Sequence, residues 1–307
     1  MDMMKYVYLS GYPKIFLSMT GLRVEEFDEL VEAVRALYQE AEAARLERGD
    51  RQRDVGGGDR PALWMRDQIL LTVIWLRLYP TQGVLGYFFG VSQATVSTYI
   101  QRVLPILERD GRSGMRMPDP GRKRRRKLDE LLRDMPEIMV VIDSFEQKVQ
   151  RPKQVSERDE WYSGKKKTHT IKSQVSVDEE TGEIVDISKS VPGPSADIKL
   201  LESSQVLEKL PEGIGGMGDC GYQSIDKLHQ KGFSPRKKPR GKDRPNEDAP
   251  YNTAFSRRRI IVENTNNRLR RYQALTQTDR NHRQNHARRV CAVAGLVNRQ
   301  IRSRLLA

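Results

Sequence analysis

The run Met139-Val140-Val141-Ile142-Asp143-Ser144 is short, apolar and closed by a single carboxylate. A continuous apolar run of this length, without alternation, fits a strand buried on both faces. Such a strand delivers Asp143 to the edge of a core, where an unpaired charge is costly unless it meets a cation or a hydrogen-bond donor. Taken alone, an Asp in this position more often ends the strand and caps the turn after it. Whether other carboxylates arrive in the same manner further along therefore decides its meaning.

The partner is suggested by charge. The chain has 307 residues, room for one large domain with a small one or for two of ordinary size, and carries a net charge of +13. That excess favours a polyanion such as nucleic acid. It is not evenly spread: from Ser256 onward there are thirteen arginines and only two acids, Glu263 and Asp279, whereas residues 25–48 are rich in Glu. Arg without Lys suits forked contacts to phosphates. Two cysteines, Cys220 and Cys291, are too few for a disulfide framework and fit a reducing compartment. No basic-then-apolar leader and no run of membrane-spanning length occurs, so a soluble cytoplasmic protein with no membrane partner is expected.

The first third reads as helical. Phe27, Leu30, Val31, Val34, Leu37 and Tyr38 recur at helical spacing within residues 24–48, residues 56–61 form a Gly-rich loop, and 66–79 form a strongly apolar helix broken at Pro80. Residues 84–100 have the pattern of a helix-turn-helix: Leu85 and Phe88 on a short helix, Gly90 at the turn, Ser92 as cap, then Val96, Tyr99 or Ile100, and Val103 inward. Gln93, Thr95, Ser97 and Thr98 are left to meet base edges and phosphates. A plain helical hairpin would share much of this pattern. Pro105 is expected to end or kink the second helix.

A basic run follows, Arg122, Lys123, Arg124, Arg125, Arg126 and Lys127, readable as a solvated linker or as a phosphate track. After a short helix at 128–135 and the Asp143 strand, residues 169–178 alternate, Glu179 to Gly182 form a turn, and 183–188 return as a second strand. Lys165, Lys166 and Lys167 form a basic loop before the hairpin, and Ala196 to Lys209 reads as a helix. Residues 213–222 suggest a short glycine-flanked strand ending at Asp219, a second carboxylate at a strand end, although a turn in which Asp219 bonds its own backbone is the simpler alternative. A helix at 223–231 and a Pro-rich basic loop over 235–250, with Arg236, Lys237, Lys238 and Lys242, precede a helix at 255–275. That helix carries Glu263 among Arg257, Arg258, Arg259, Arg268, Arg270 and Arg271, where a lone acid would often only neutralise its neighbours. A closing helix spans about 280–305.

Two Asp and one Glu in chain order are the hard oxygen ligands that divalent cations prefer, Mg²⁺ in particular. Two such ions activate a water or a 3′-hydroxyl on one side of a phosphorus and stabilise the leaving oxygen on the other. Zinc-type clusters, a phosphate-binding Gly-Lys-Ser/Thr loop and a Gly-x-Ser-x-Gly elbow are absent, so no nucleotide cofactor is expected. From the helix-turn-helix onward the chain resembles the DDE-type transposases of bacterial insertion sequences, in the group related to Harbinger-like nucleases. The resembling residues are Val-Ile-Asp143-Ser, the segment Gly-Lys-Lys-Lys-Thr-His-Thr-Ile-Lys at 164–172, Val-Pro-Gly-Pro-Ser-Ala-Asp197, Gly-Asp219-Cys-Gly-Tyr222 and Arg259-Ile-Ile-Val-Glu263-Asn264. A related signature places Tyr, Arg, Glu and Lys in order; here Arg259 and Glu263 fit, but Ser256 stands for the Tyr and Arg270 for the Lys.

The resemblance implies a mixed α/β fold, with a ribonuclease H-like catalytic core behind an all-α helix-turn-helix domain. The expected division is residues 1–110 as the DNA-binding domain, 111–136 as a basic linker with a short helix, and 137–307 as the nuclease. It further implies catalysis and metal binding by Asp143, Asp219 and Glu263, two Mg²⁺ ions with Mn²⁺ as a substitute, double-stranded DNA as partner, and a homodimer in the DNA complex. Arg259, Arg268, Arg270, Arg271 and the basic loops would grip phosphates. The rival reading is a domesticated, non-catalytic DNA-binding regulator; a nuclease acting on RNA is a third.

Overall fold

The computed structural model describes residues 4–47, 61–125, 127–241 and 243–306. Arg126, Lys242 and residues 56–60 of the expected Gly-rich loop lie outside them. Six helices come first: α1 (Tyr6–Leu9), α2 (Pro13–Thr20), α3 (Val24–Leu46), α4 (Met65–Leu78), α5 (Gln82–Phe89) and α6 (Gln93–Ser113). Helix α4 is buried over nearly its whole length, as its apolar sequence requires. The α5–α6 pair is the helix-turn-helix. Gly90 turns the chain at φ 67°, a left-handed conformation that suits glycine. Ser92 accepts the Thr95 N–H at 3.1 Å to cap α6. Helix α6 does not end at Pro105 but continues two turns further. Its apolar side, with Val103, Leu104, Ile106 and Leu107 buried, packs on the last helix and outweighs the one backbone bond that proline removes.

Beyond this region the chain forms a sheet. Its strands are β1 (Met139–Lys148), β2 (Tyr162–Ser163), β3 (Thr168–Asp178), β4 (Ile184–Ile187), β5 (Val191–Pro192), β6 (Gly215–Met217) and β7 (Gly232–Phe233), in the order β2-β3-β1-β6-β7, with β4 and β5 also paired to β3. Strand β1 is central, antiparallel to β3 and parallel to β6. Met139, Val141 and Phe145 enter one apolar core, while Ile138, Val140 and Ile142 enter a second. That is why the run does not alternate. The first core also contains residues of α3 to α6, so the N-terminal helices and one face of the sheet share a continuous interior.

The remaining helices are α7 (Val155–Trp161), α8 (Asp197–Ser204), α9 (Ile225–Leu228), α10 (Asp248–Arg270) and α11 (His286–Leu306). Several bounds differ from expectation. Strand β1 runs past Asp143 to Lys148 because β3 continues to pair with it. The expected helix at 128–135 is a single 3-10 turn at Glu130–Leu132. Helix α8 stops at Ser204, where Gln205 adopts φ 54°, and α9 is one turn rather than two. Helix α10 begins seven residues before 255, since Pro250 falls in its first turn, where a missing N–H costs nothing. It ends at Arg270, and Gln273–Leu275 form a separate 3-10 turn. Residues 279–281 are not helical: Asn281 Nδ2 and the Arg280 N–H donate to the Tyr79 hydroxyl at 2.6 and 3.0 Å, beside the helix-turn-helix. No helix among the described residues is long and apolar enough to cross a membrane.

Candidate active site and nucleic-acid interface

The parallel ladder of β1 and β6 ends at Val141 opposite Met217. Asp143 and Asp219 each lie two residues further along, so a period of two puts them beside one another on the same face. Past this point β1 keeps β3 on one edge, and its other edge stays unpaired until Lys148, whose carbonyl accepts the Asp279 N–H at 2.8 Å. Asp219 caps the 3-10 turn Cys220–Tyr222, its Oδ1 accepting the Gly221 N–H at 2.8 Å. Strand β6 ends at Met217, two residues before the expected end at Asp219, so Asp219 itself sits in the self-bonded turn that the sequence offered as the simpler alternative.

Helix α10 borders the same site. Arg259, Glu263, Asn266 and Arg270 follow one another at spacings of four, three and four, which puts them along one stripe of the helix. Asn266 Nδ2 donates to Asp143 Oδ2 at 2.8 Å. The Asp143 carboxyl is raised above its usual range, first by burial; Arg259 opposes the rise, and the charges of Asp219 and Asp197 add to it. Burial and like charge together outweigh the guanidinium. The buried Tyr222 hydroxyl is pushed far up, mainly by burial and further by Asp197, Asp143 and Asp219.

A divalent cation suits this pair. Hard carboxylate oxygens are its preferred ligands, and its charge would offset the burial, and the lesser repulsion from Asp219 and Asp197, that raise Asp143. Glu263 is exposed on α10, and among the described residues no three His, Cys, Asp or Glu side chains are gathered closely enough to hold a metal. The structure thus brings Asp143 and Asp219 together and sets Glu263 on the bordering helix, outside their immediate group.

Four site residues were not singled out from sequence for a role here. Asn266 carried a usable signal, three residues after Glu263 and hence on its helix face. Ser144, Lys172 and Asp197 lie within segments that carry the family resemblance, but nothing there marks their meeting, which depends on how β1, β3 and α8 pack. Ser144 Oγ donates to Asp197 Oδ1 at 2.7 Å, and Lys172 Nζ donates to the same oxygen at 2.9 Å.

The residues expected to touch DNA divide into two kinds. On α6, Gln93 and Thr98 are exposed, while Thr95 and Ser97 are half-buried and bonded to Ser92 and Gln101. In the basic run, Lys123, Arg125 and Lys127 are exposed, but Arg122 grips Asp178 through two bonds of 2.6 and 2.8 Å. Arg124 binds Glu179 at 2.9 Å and the Glu137 carbonyl at 2.7 Å. Lys165, Lys166 and Lys167 are exposed between β2 and β3, as are Lys237 and Lys238. Arg236 stacks over Tyr251 at 4.0 Å and reaches Asp248 at 3.4 Å, which pins that loop to α10. Arg270 and Arg271 are exposed; Arg259 and Arg268 are half-buried, and burial with nearby Arg304 and Arg271 lowers the pKa of Arg268.

Comparison with known proteins accounts for both regions. Residues 142–298 match the DDE superfamily endonuclease family, and residues 61–113 match the helix-turn-helix of DDE superfamily endonuclease. A protein of Microchaete diplosiphon, described as a probable transposase for insertion sequence element IS702, is 31% identical over 288 residues, covering 93% of this chain and 94% of that one. No solved structure gives a significant match. The chain belongs to the DDE superfamily of endonucleases and, within it, to the insertion-sequence transposases, with the superfamily's helix-turn-helix ahead of its endonuclease domain.

Proposed function

We propose that the protein binds the terminal inverted repeats of its own mobile element, cleaves DNA strands there and joins the freed 3′-hydroxyl to target DNA. The observation that carries this reading is the adjacency of Asp143 and Asp219 at the open edge of β1, bordered by the Arg259–Glu263–Asn266 stripe of α10. Asp143, Asp219 and Glu263 would hold the divalent ions, two Mg²⁺ with Mn²⁺ as a substitute. When bound, such ions polarise the phosphodiester and activate the attacking oxygen. The chain's own part is to orient: Asn266 fixes the Asp143 carboxylate, the Gly221 N–H fixes that of Asp219, and Arg259 supplies positive charge next to Asp143.

Gln93, Thr95, Ser97 and Thr98 would enter the major groove. The exposed members of the basic loops, with Arg268, Arg270 and Arg271, would follow phosphates, so binding should weaken steeply with salt. The antiparallel β4-β3-β1 group continued by parallel β6 and β7 supports a ribonuclease H-like core. We divide the chain into residues 1–110, 111–136 and 137–307, and assign its work to a homodimer in the cytoplasm, because two element ends must be cut and joined together.

The test is cleavage of a labelled terminal-repeat duplex with Mg²⁺ or Mn²⁺. The wild-type protein should nick it, and Asp219→Asn should abolish nicking while leaving DNA affinity within about twofold. Equal cleavage by that variant would sink the residue assignment. Wild-type protein that binds the duplex but neither cuts nor joins it would favour a non-catalytic regulator.

A further inference from the structure

We infer that Asp197, outside the Asp143–Asp219–Glu263 set, is a positioning residue that clamps the strand bearing Asp143 to the turn bearing Asp219. The inference rests on the reading of those two aspartates as the reacting pair. Beyond Val141 and Met217 the ladder between β1 and β6 has ended, so the two carboxylates sit on backbone segments that no longer pair with each other.

Asp197, the first residue of α8, spans that gap from the opposite face of β1. Its Oδ1 accepts from Ser144, the residue directly after Asp143, at 2.7 Å. The same oxygen accepts from Lys172 Nζ at 2.9 Å, and Lys172 also donates to the Ser195 carbonyl at 2.6 Å, which anchors the start of α8 to β3. The other oxygen, Oδ2, occupies the space beside Gly221 in the turn beyond β6. A Cβ built on Gly221 would lie 2.6 Å from it and 3.0 Å from Asp219 Oδ1, the atom that the Gly221 N–H holds. One carboxylate thus fastens β1 through Ser144 and bounds the Asp219 turn through Gly221. The Lys172 ammonium is almost wholly buried, with Glu146 4.0 Å away, and neutralises Asp197 in place. A neutralised and doubly bonded carboxylate fits a clamp better than a ligand competing for the cation.

Misplacing a reacting group by about 1 Å can cost on the order of 100-fold in rate without loss of binding. The experiment measures single-turnover cleavage of saturating terminal-repeat duplex by the full-length protein, with DNA affinity measured separately in the absence of metal. Asp197→Ala should slow cleavage by about 100-fold with DNA affinity within about twofold of wild type. Asp197→Asn, which keeps an acceptor oxygen for Ser144, should recover about tenfold of that loss. Gly221→Ala should also slow cleavage, and combined with Asp197→Ala it should cost less than the product of the two separate losses, because its methyl gains the space that Oδ2 vacates while still lying against Asp219 Oδ1. A role confined to general stability would lower melting temperature and affinity together and would give neither recovery nor non-additivity. Should Asp197→Ala fail to fold, Ser144→Ala removes one donor only and should slow cleavage by roughly tenfold. Cleavage within about twofold of wild type by Asp197→Ala or Ser144→Ala, or a loss seen only as weaker DNA binding, overturns the inference. A wild-type protein that leaves the duplex intact overturns instead the function on which it rests.

Discussion

Helices α10 and α11 carry five arginines each, but α11 pairs four of its five with carboxylates and α10 pairs one. On α11, Arg288 binds Glu108 and Arg299 binds Asp110, both on α6, while Arg302 binds Glu183 and the Gly114 carbonyl. Arg289, fully buried, pairs with buried Asp279. On α10 only Arg258 is bound in this way, to Glu179 at 2.6 Å and to the carbonyls of Pro136 and Glu137. Arg257, Arg259, Arg268 and Arg270 have no carboxylate partner among the described residues. Equal charge content therefore gives a fastener in one helix and a cationic surface in the other. The difference lies in what each helix faces: α11 packs along α6, whose acids meet it, whereas α10 borders the open end of the sheet.

The comparison breaks most sharply at Arg289. Arg289→Met leaves Asp279 buried without its partner, a change that costs roughly 3–5 kcal/mol. Urea unfolding should register that loss, while the folded fraction keeps its DNA affinity. A change below about 1 kcal/mol would mean that the pair is dispensable. The converse variant, Arg268→Ala/Arg270→Ala/Arg271→Ala, should leave stability within about 0.5 kcal/mol per site yet weaken DNA binding and lower the salt dependence by about one per arginine. An unchanged slope, read by titration at several salt concentrations, would remove α10 from the DNA interface. The smallest effect belongs to Arg299→Ala, whose partly exposed pair with Asp110 contributes at most about 1 kcal/mol. If that variant lowered the salt slope as much as one α10 arginine does, the division between the helices would fail.

The same lesson applies to the basic run at 122–127. Its composition suggests one phosphate track, but alternate members turn inward to Asp178 and Glu179. Nothing in the sequence distinguishes Arg124 from Arg125, because their fates depend on acids more than fifty residues away. The helix-turn-helix was legible for the contrary reason. Gly90, Ser92 and the spacing of Val96, Tyr99 and Val103 act over a few neighbouring residues, and the local geometry followed from them. Pro105 does not end α6, because packing against α11, which is distant in sequence, outweighs the local rule.

Asp143 lies between these cases. The apolar run before it determined a strand buried on both faces, since only a two-sided core removes the need for alternation. The sequence also marked Asp219 and Glu263 as companions and identified the two kinds of domain. Tertiary structure alone decided that β1 continues to Lys148 and that Val141 pairs with Met217, which makes Asp143 and Asp219 neighbours. It alone brought Asn266 and Asp197 to them and set Glu263 on the bordering helix, exposed and outside their immediate group. Periodicity and capping are short-range and are written in consecutive residues. Strand register and ion pairing join segments tens to hundreds of residues apart, and the folded chain alone fixes which of them meet.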